Sequence, residues 1–169
     1  PQLVMGKSVA GSNDDVANSI ATDASGNIYV VGYFKALNIT FGSTTLTNAG
    51  NVGGNARSDI FIVKYDASGA VLWAKSAGST SDDEANSVTV DVFGNIYMVG
   101  ISGPSITFGS TTLTNGGMYI VKYDDSGIVL WAKSAVGTPS PTSVTTDASG
   151  NIYVVGSNST STSADMYIV

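Results

Sequence analysis

The apolar residues of this chain come in short runs rather than at helical spacing. Ile28-Tyr29-Val30-Val31 and Ile60-Phe61-Ile62-Val63 are each apolar at four consecutive positions, and Gly, Asp, Ser and Asn cluster at their ends. Runs of this length, rich in β-branched and aromatic residues and bounded by turn formers, predict β-strands. Their lack of polar/apolar alternation predicts strands covered on both faces.

The segments between the runs repeat one turn chemistry. NSIATD passes through Ala24-Ser25-Gly26 into NIYVVG, and DIFIVKYD passes through Ala67-Ser68-Gly69 into AVLWAKS. Asp at the first turn position accepts hydrogen bonds from turn amides, and Gly at the fourth adopts positive φ, which suits a type I turn followed by a G1 bulge. Four strands follow: A (Asn18 to Asp23), B (Asn27 to Tyr33), C (Asp59 to Asp66) and D (Ala70 to Ser76).

The unit recurs. D-x-x-G-N-I-Y-x-V-G occurs at Asp23 to Gly32, Asp91 to Gly100 and Asp147 to Gly156, and residues 1–32 align without a gap on residues 69–100. DIFIVKYDASGAVLWAKSA (Asp59 to Ala77) returns as MYIVKYDDSGIVLWAKSA (Met118 to Ala135) and begins again as DMYIV (Asp165 to Val169). A strand D at Gln2 to Ser8 is therefore followed by repeats at 18–76 and 86–134 and a partial repeat at 142–169, in one segment, 1–169.

Repeated units of four antiparallel strands predict an all-β fold, a β-propeller with three four-stranded blades. A β-sandwich or β-solenoid competes, although a solenoid coil rarely needs two D-x-S-G hairpins. Rings normally close with about four to eight blades, which leaves a partial propeller or half of a six-bladed dimer. In the dimer, strand D would complete the partner's ABC set. The opening at Pro1 and the stop inside a strand pattern favour the partial propeller.

Composition narrows the chemistry. The 169 residues are 43% apolar and 12% charged, as in ordered globular proteins. Thirteen acidic against seven basic residues leave a net charge of −6, which opposes binding to nucleic acid or anionic membranes. Cys and His are both absent, removing thiolate nucleophiles, His bases and the usual zinc or copper ligands. No G-x-S-x-G or S-x-x-K motif occurs, and no apolar stretch reaches membrane-spanning length. These features predict no enzyme activity and no membrane insertion.

The carboxylates offer one candidate site. Asp14 and Asp15, with their counterparts Asp82, Asp83 and Glu84, fall in the D-to-A connections, where they would either hold Ca²⁺ through hard oxygen ligands or cap the junction between repeats. Gly137 to Pro141 replace them in the third copy. The D-x-S-x-N of Asp23 and Asp147 places oxygens at calcium-loop spacing, but it lacks a Glu at the twelfth position and loses its middle oxygen in the second copy. Turn formation explains it without a metal, so no cofactor is expected beyond that Ca²⁺ candidate.

The inserts ITFGSTTLTN at Ile39 to Asn48 and Ile106 to Asn115 predict β-hairpins turning at Gly42-Ser43 and Gly109-Ser110. They would project as a Thr-rich ledge, making Thr44, Thr45, Thr47, Thr111, Thr112 and Thr114 the expected partner contacts. Trp73 and Trp131, at a position occupied by Met5 in the first copy, read as packing residues rather than a sugar platform. Arg57, the only arginine, reads as ordinary surface.

At DASGNIYVVG, FIVKYDASG and VLWAKSA the sequence resembles the SBBP-type β-propeller repeat of bacterial surface and secreted proteins. ITFGSTTLTN looks like the form found in large secreted proteins of Bacteroidetes, many of them type IX secretion substrates. The resemblance implies an extracellular or cell-surface location and brings no catalytic residues with it. The expected function is a non-catalytic module for protein or glycan binding, display or adhesion at the cell surface, assembled with the remaining blades of a longer chain or with a second copy. The alternatives are a carboxylate-dependent hydrolase or lyase, and a structural spacer of a large adhesin or filament.

Overall fold

A computed structural model of the chain describes Val9 and residues 13–50, 56–135, 139–159 and 164–168. Every regular element among them is a β-strand. The first sheet holds β1 (Asp15–Thr22), β2 (Ile28–Phe34), β5 (Asp59–Tyr65) and β6 (Val71–Ala77), in that spatial order. Between β2 and β5 the chain makes a separate hairpin, β3 (Asn38–Phe41) with β4 (Thr44–Thr47).

The second sheet repeats the arrangement with β7 (Glu84–Val90), β8 (Ile96–Ser102), β11 (Gly117–Tyr123) and β12 (Val129–Ser134), and with the hairpin β9 (Ile106–Phe108) and β10 (Thr111–Leu113). The third sheet holds β13 (Pro139–Thr146), β14 (Ile152–Ser159) and β15 (Ala164–Ile168). All pairings are antiparallel. The strand D expected at Gln2 to Ser8 lies outside the described residues.

The turns form as their residues dictate. Gly26, Gly69, Gly94, Gly127 and Gly150 all take φ between 75° and 83°, a region open to glycine because it has no Cβ. In the first turn the Gly26 N–H donates to Asp23 O (3.1 Å) and the Asp23 N–H to Asn27 O (3.1 Å), which closes the loop.

Strand A begins earlier than expected, at Asp15, Glu84 and Pro139 rather than at the Asn18 position. A β-bulge causes this. The register of β1 on β2 shifts between Ala17 and Ser19, that of β7 on β8 between Ala85 and Ser87, and that of β13 on β14 between Pro141 and Ser143. The extra residue turns the strand without ending it.

The sheets pack face to face, and the apolar runs form the interfaces. Tyr29, Val31, Ile60 and Ile62 of the first sheet join Val88, Ile96, Met98 and Val121 of the second in one buried cluster. Tyr97, Val99 and Met118 of the second join Val144 and Val154 of the third in another. β5 is buried along its whole length, as its unbroken apolar run requires.

The hairpins depart from the expected projecting ledge. Ile39, Phe41 and Leu46 of the first are buried in a cluster with Phe34, Phe61, Val63 and Tyr65, and Phe41 stacks on Phe61 at 5.1 Å. Ile106 and Phe108 of the second lie in the interface between the first two sheets. Each hairpin alternates apolar and polar residues, so burying one face hides the apolar half and leaves the polar half outside.

Candidate functional site

At the A–B turn end, each first-position Asp organises its own turn. Asp23 Oδ1 accepts the N–H groups of Ser25 and Asn27 (both 2.9 Å), and Oδ2 accepts Asn27 Nδ2 (2.7 Å) and the Tyr29 hydroxyl (3.0 Å). Asp91 holds Phe93, Asn95 and Tyr97 in the same way, and Asp147 holds Ser149, Asn151 and Tyr153. The third turn position contributes its backbone N–H, which explains why Phe93 replaces Ser25 without loss.

Burial works against ionisation of Asp23 and Asp91, but these hydrogen bonds outweigh it and hold both carboxyls below their usual range. At Asp147 the side-chain hydrogen bond from Asn151 leads in the same direction. The tyrosine that bonds the turn Asp, three residues after the turn glycine, was not foreseen in this role. Its signal is the recurrence of D-x-x-G-N-I-Y in all three copies.

Between the first two turns lies an open groove of about 510 Å³, lined by Asp23, Asn27, Asp91, Phe93 and Asp125 among others. Val92 and Phe93 are strongly exposed at its rim. Asp125, one of its lining residues, also pairs with the buried Lys64 ammonium of the first sheet. The Tyr29 hydroxyl lies 3.1 Å from Asp125 Oδ1 as well as 3.0 Å from Asp23 Oδ2, so its one proton is shared between the two carboxylates; Trp73 Nε1–H donates to Asp125 O (3.2 Å), and Lys64 Nζ lies 5.2 Å from the Tyr29 ring centre. Trp73 meets Tyr29 edge-on at 6.3 Å and Trp131 meets Tyr97 at 6.2 Å, so both tryptophans pack within the fold.

The bulge residues carry a second set of inter-sheet bonds. Asn18 Nδ2 donates to Ala85 O (2.9 Å), and Ser19 Oγ accepts the Val88 N–H (3.2 Å). One repeat later, Asn86 Nδ2 donates to Pro141 O (2.7 Å) and Ser87 Oγ accepts the Val144 N–H (3.1 Å). In the third copy Thr142 stands at the bulge and donates instead to Val155 O of its own sheet (3.1 Å).

The predicted carboxylate cluster separates into two junctions. Asp15 accepts the N–H groups of Lys35 (3.2 Å) and Ala36 (3.4 Å), while Asp14 is exposed. Its counterpart Asp83 is buried and accepts the Gly103 N–H and the Ser79 hydroxyl, each at 2.8 Å. Asp82 accepts the Ser58 N–H (3.0 Å) and pairs with Arg57 at 2.9 Å. Arg57 is thus a surface residue, as expected, and its half-exposed ion pair joins two loops. Glu84 lies in β7, where its carbonyl accepts the Tyr119 hydroxyl (3.1 Å). Among the described residues no three acidic side chains are placed to hold a metal ion together.

Asp59 was not singled out from sequence. Buried beside Asp83, it accepts the Ala49 N–H (2.6 Å) through Oδ2, while its Oδ1 has no partner among the described residues. Desolvation, reinforced by the Asp83 charge, pushes its carboxyl up to about 6. Burial also raises Asp83. Only folding reveals this proximity, since Asp59 opens β5 and Asp83 lies in the connection before β7.

The outer faces of the hairpins carry hydroxyl pairs. Thr40 Oγ1 lies 3.0 Å from Thr45 Oγ1, Thr107 Oγ1 lies 3.0 Å from Thr112 Oγ1, and Thr47 donates to Asn38 Oδ1 (2.9 Å). Of the predicted contact residues, Thr45, Thr47, Thr112 and Thr114 are exposed, whereas Thr44 and Thr111 are half-buried on the inward side. Thr40 and Thr107 join the outer row because they face Thr45 and Thr112 across each hairpin.

Residues 5–33 match the family described as SBBP, the β-propeller repeat. The repeat unit is of that type. The chain is also similar to an uncharacterized WD repeat-containing protein of Acanthamoeba polyphaga mimivirus, with 28% identity over 179 aligned positions. The match covers 88% of this chain and 13% of that relative. The chain therefore spans only a small part of the curated relative it resembles.

Proposed function

We propose that this chain is a non-catalytic β-propeller module of a secreted or cell-surface protein, with its two four-stranded sheets and its three-stranded sheet as successive blades, that binds protein or glycan partners through the outer rows of its hairpins. The observation that carries this reading is the exposed Thr–Thr pair present at the same place in both hairpins. The apolar half of each hairpin already serves the core, so the polar rows are free for an outside contact. Adjacent hydroxyls offer both donors and acceptors to sugar hydroxyls or to peptide backbone.

The carboxylates support the same reading. Those of the three A–B turns are engaged by turn amides and tyrosines, and Asp15, Asp82 and Asp83 by backbone and side-chain donors at the junctions. Carboxylates held this way serve the fold, and the proposal assigns them neither acid–base chemistry nor a cofactor.

A screen of the purified chain against glycans and cell-surface proteins tests the proposal. Replacing Thr40, Thr45, Thr107 and Thr112 together by Val is expected to weaken the identified ligand at least about tenfold, the loss of one or more hydrogen bonds to a polar partner. Unchanged affinity overturns the hairpin assignment. No ligand in either screen overturns the binding function and favours a spacer.

A further inference from the structure

The turns of the second copy differ from those of its neighbours at three places. The first copy closes its A–B and C–D turns with Asp23-Ala24-Ser25-Gly26 and Asp66-Ala67-Ser68-Gly69, and the third closes its A–B turn with Asp147-Ala148-Ser149-Gly150. The second has Val92 and Phe93 where the others have Ala and Ser, and Asp125 where the first has Ala67. All three of these residues line the one groove of about 510 Å³.

The fold does not account for Val92 and Phe93. Each A–B turn uses only the backbone N–H of its third position, and the two side chains are 69% and 74% exposed. Phe93 borders the third turn along one edge of its ring, where a Cβ added at Gly150 would lie 3.8 Å from Cε2. An adjacent apolar pair at the rim of a groove, ringed by polar residues, has the pattern of a contact site rather than of scattered exposure.

The groove is also negative. Asp23, Asp91 and Asp125 line it, and no Lys or Arg does among the described residues. Desolvation works against the charge on Asp23 and Asp91, but their turn hydrogen bonds outweigh it and keep both ionised at neutral pH. The Lys64 ammonium offsets Asp125 alone, through Oδ1. Asp125 Oδ2 accepts no hydrogen bond from the described residues, and the side chain is 65% exposed.

We infer that this groove binds an arginine-bearing segment of a partner protein, with the guanidinium stacked on the Phe93 ring and hydrogen-bonded to Asp125 Oδ2. A planar cation suits both halves of the site, because it lies flat on an aromatic face and its fork of donors matches a carboxylate. Lysine carries a strongly hydrated point charge and makes neither contact as well. Asp23 and Asp91, whose oxygens are engaged by their own turns, add attraction at longer range. The site lies on the turns and stands independently of the ligand proposed for the hairpins.

Fluorescence anisotropy of a labelled peptide of alternating arginine and glycine, titrated with the whole chain, tests this. The peptide is expected to bind, and its counterpart with citrulline in place of arginine, which keeps the shape and loses the charge, to bind at least about tenfold more weakly. The lysine counterpart is expected to bind several-fold more weakly. The double variant Val92→Ala, Phe93→Ser gives the second turn the residues of the other two. It is therefore expected to keep the wild-type melting temperature and to bind the arginine peptide at least about fivefold more weakly. Raising the ionic strength from about 0.1 to about 1 M, which shortens the screening length from about 10 Å to about 3 Å, is expected to weaken the wild-type complex.

An arginine peptide that fails to bind at the highest soluble concentration of the chain overturns the inference. So does equal affinity for the citrulline or lysine peptide, or binding that salt leaves unchanged. Affinity untouched by the double variant overturns it as well, since the attraction is then that of an acidic chain for any cation.

Discussion

Lys64 and Asp125 form an ion pair across the interface of the first two sheets, with the lysine buried and the aspartate at the exposed tip of the neighbouring turn. The pair locks the C–D turn of one repeat over strand C of the one before it. At the equivalent place on the second sheet, Lys122 lies 5.1 Å from the Tyr97 ring centre, matching the placement of Lys64 over Tyr29.

Asp125→Ala is expected to destabilise the fold more than Lys64→Met. The first leaves an ammonium in the interior without its counter-charge, whereas the second replaces the pair by an apolar side chain of similar length. Because water reaches Asp125, the loss is about 1–2 kcal/mol rather than the larger cost of a fully buried pair. Urea denaturation of both variants checks the order.

Asp59 makes stability depend on pH. Its carboxyl titrates near 6 in the folded chain and near 3.8 when unfolded, so the folded state binds the extra proton between these values. The resulting stabilisation is fully present below the unfolded value and is lost as pH rises through about 6. Asp83, raised by the same burial, acts in the same direction. Asp59→Asn is expected to flatten the fall in melting temperature between mildly acidic and neutral pH, measured by differential scanning calorimetry.

Ser87→Ala removes the acceptor of the Val144 N–H at a buried position. The expected cost is about 1–2 kcal/mol, that of leaving a buried donor unpaired. Thr142→Ala, at a bulge whose side chain bonds only within its own sheet, is expected to cost less, and chemical denaturation of the two variants makes the comparison.

Gly78 and Gly94 separate two reasons for a glycine. A Cβ at Gly78 would collide with the Asp59 carboxylate, while one at Gly94 meets nothing but sits at φ +83°. Gly94→Ala is expected to cost about 1 kcal/mol from backbone strain alone. Gly78→Ala must displace a buried carboxylate and is expected to cost more than twice that, about 2–3 kcal/mol. Melting temperatures of the two variants measure the difference.

The strands and turns were legible because their causes are local. Asp23, Gly26 and Asn27 act within four residues of one another, and a repeated sequence makes such a turn visible each time it returns. The bulge was not legible, since Asn18 reads as an ordinary strand residue until Ala85, 67 positions away, supplies its acceptor. The hairpins were placed correctly along the chain, but the Thr-rich outer row hid the fact that Ile39, Phe41 and Leu46 alternate with it and enter the core.

By itself, then, the sequence determined the repeat, its hairpins and the all-β class, because turn chemistry and apolar runs act over a few residues. Only the tertiary structure decided which charges are buried and which aspartates meet. Asp59 beside Asp83 and Lys64 under Asp125 both depend on one sheet lying against another. Desolvation and inter-sheet hydrogen bonding exist only once that packing has formed.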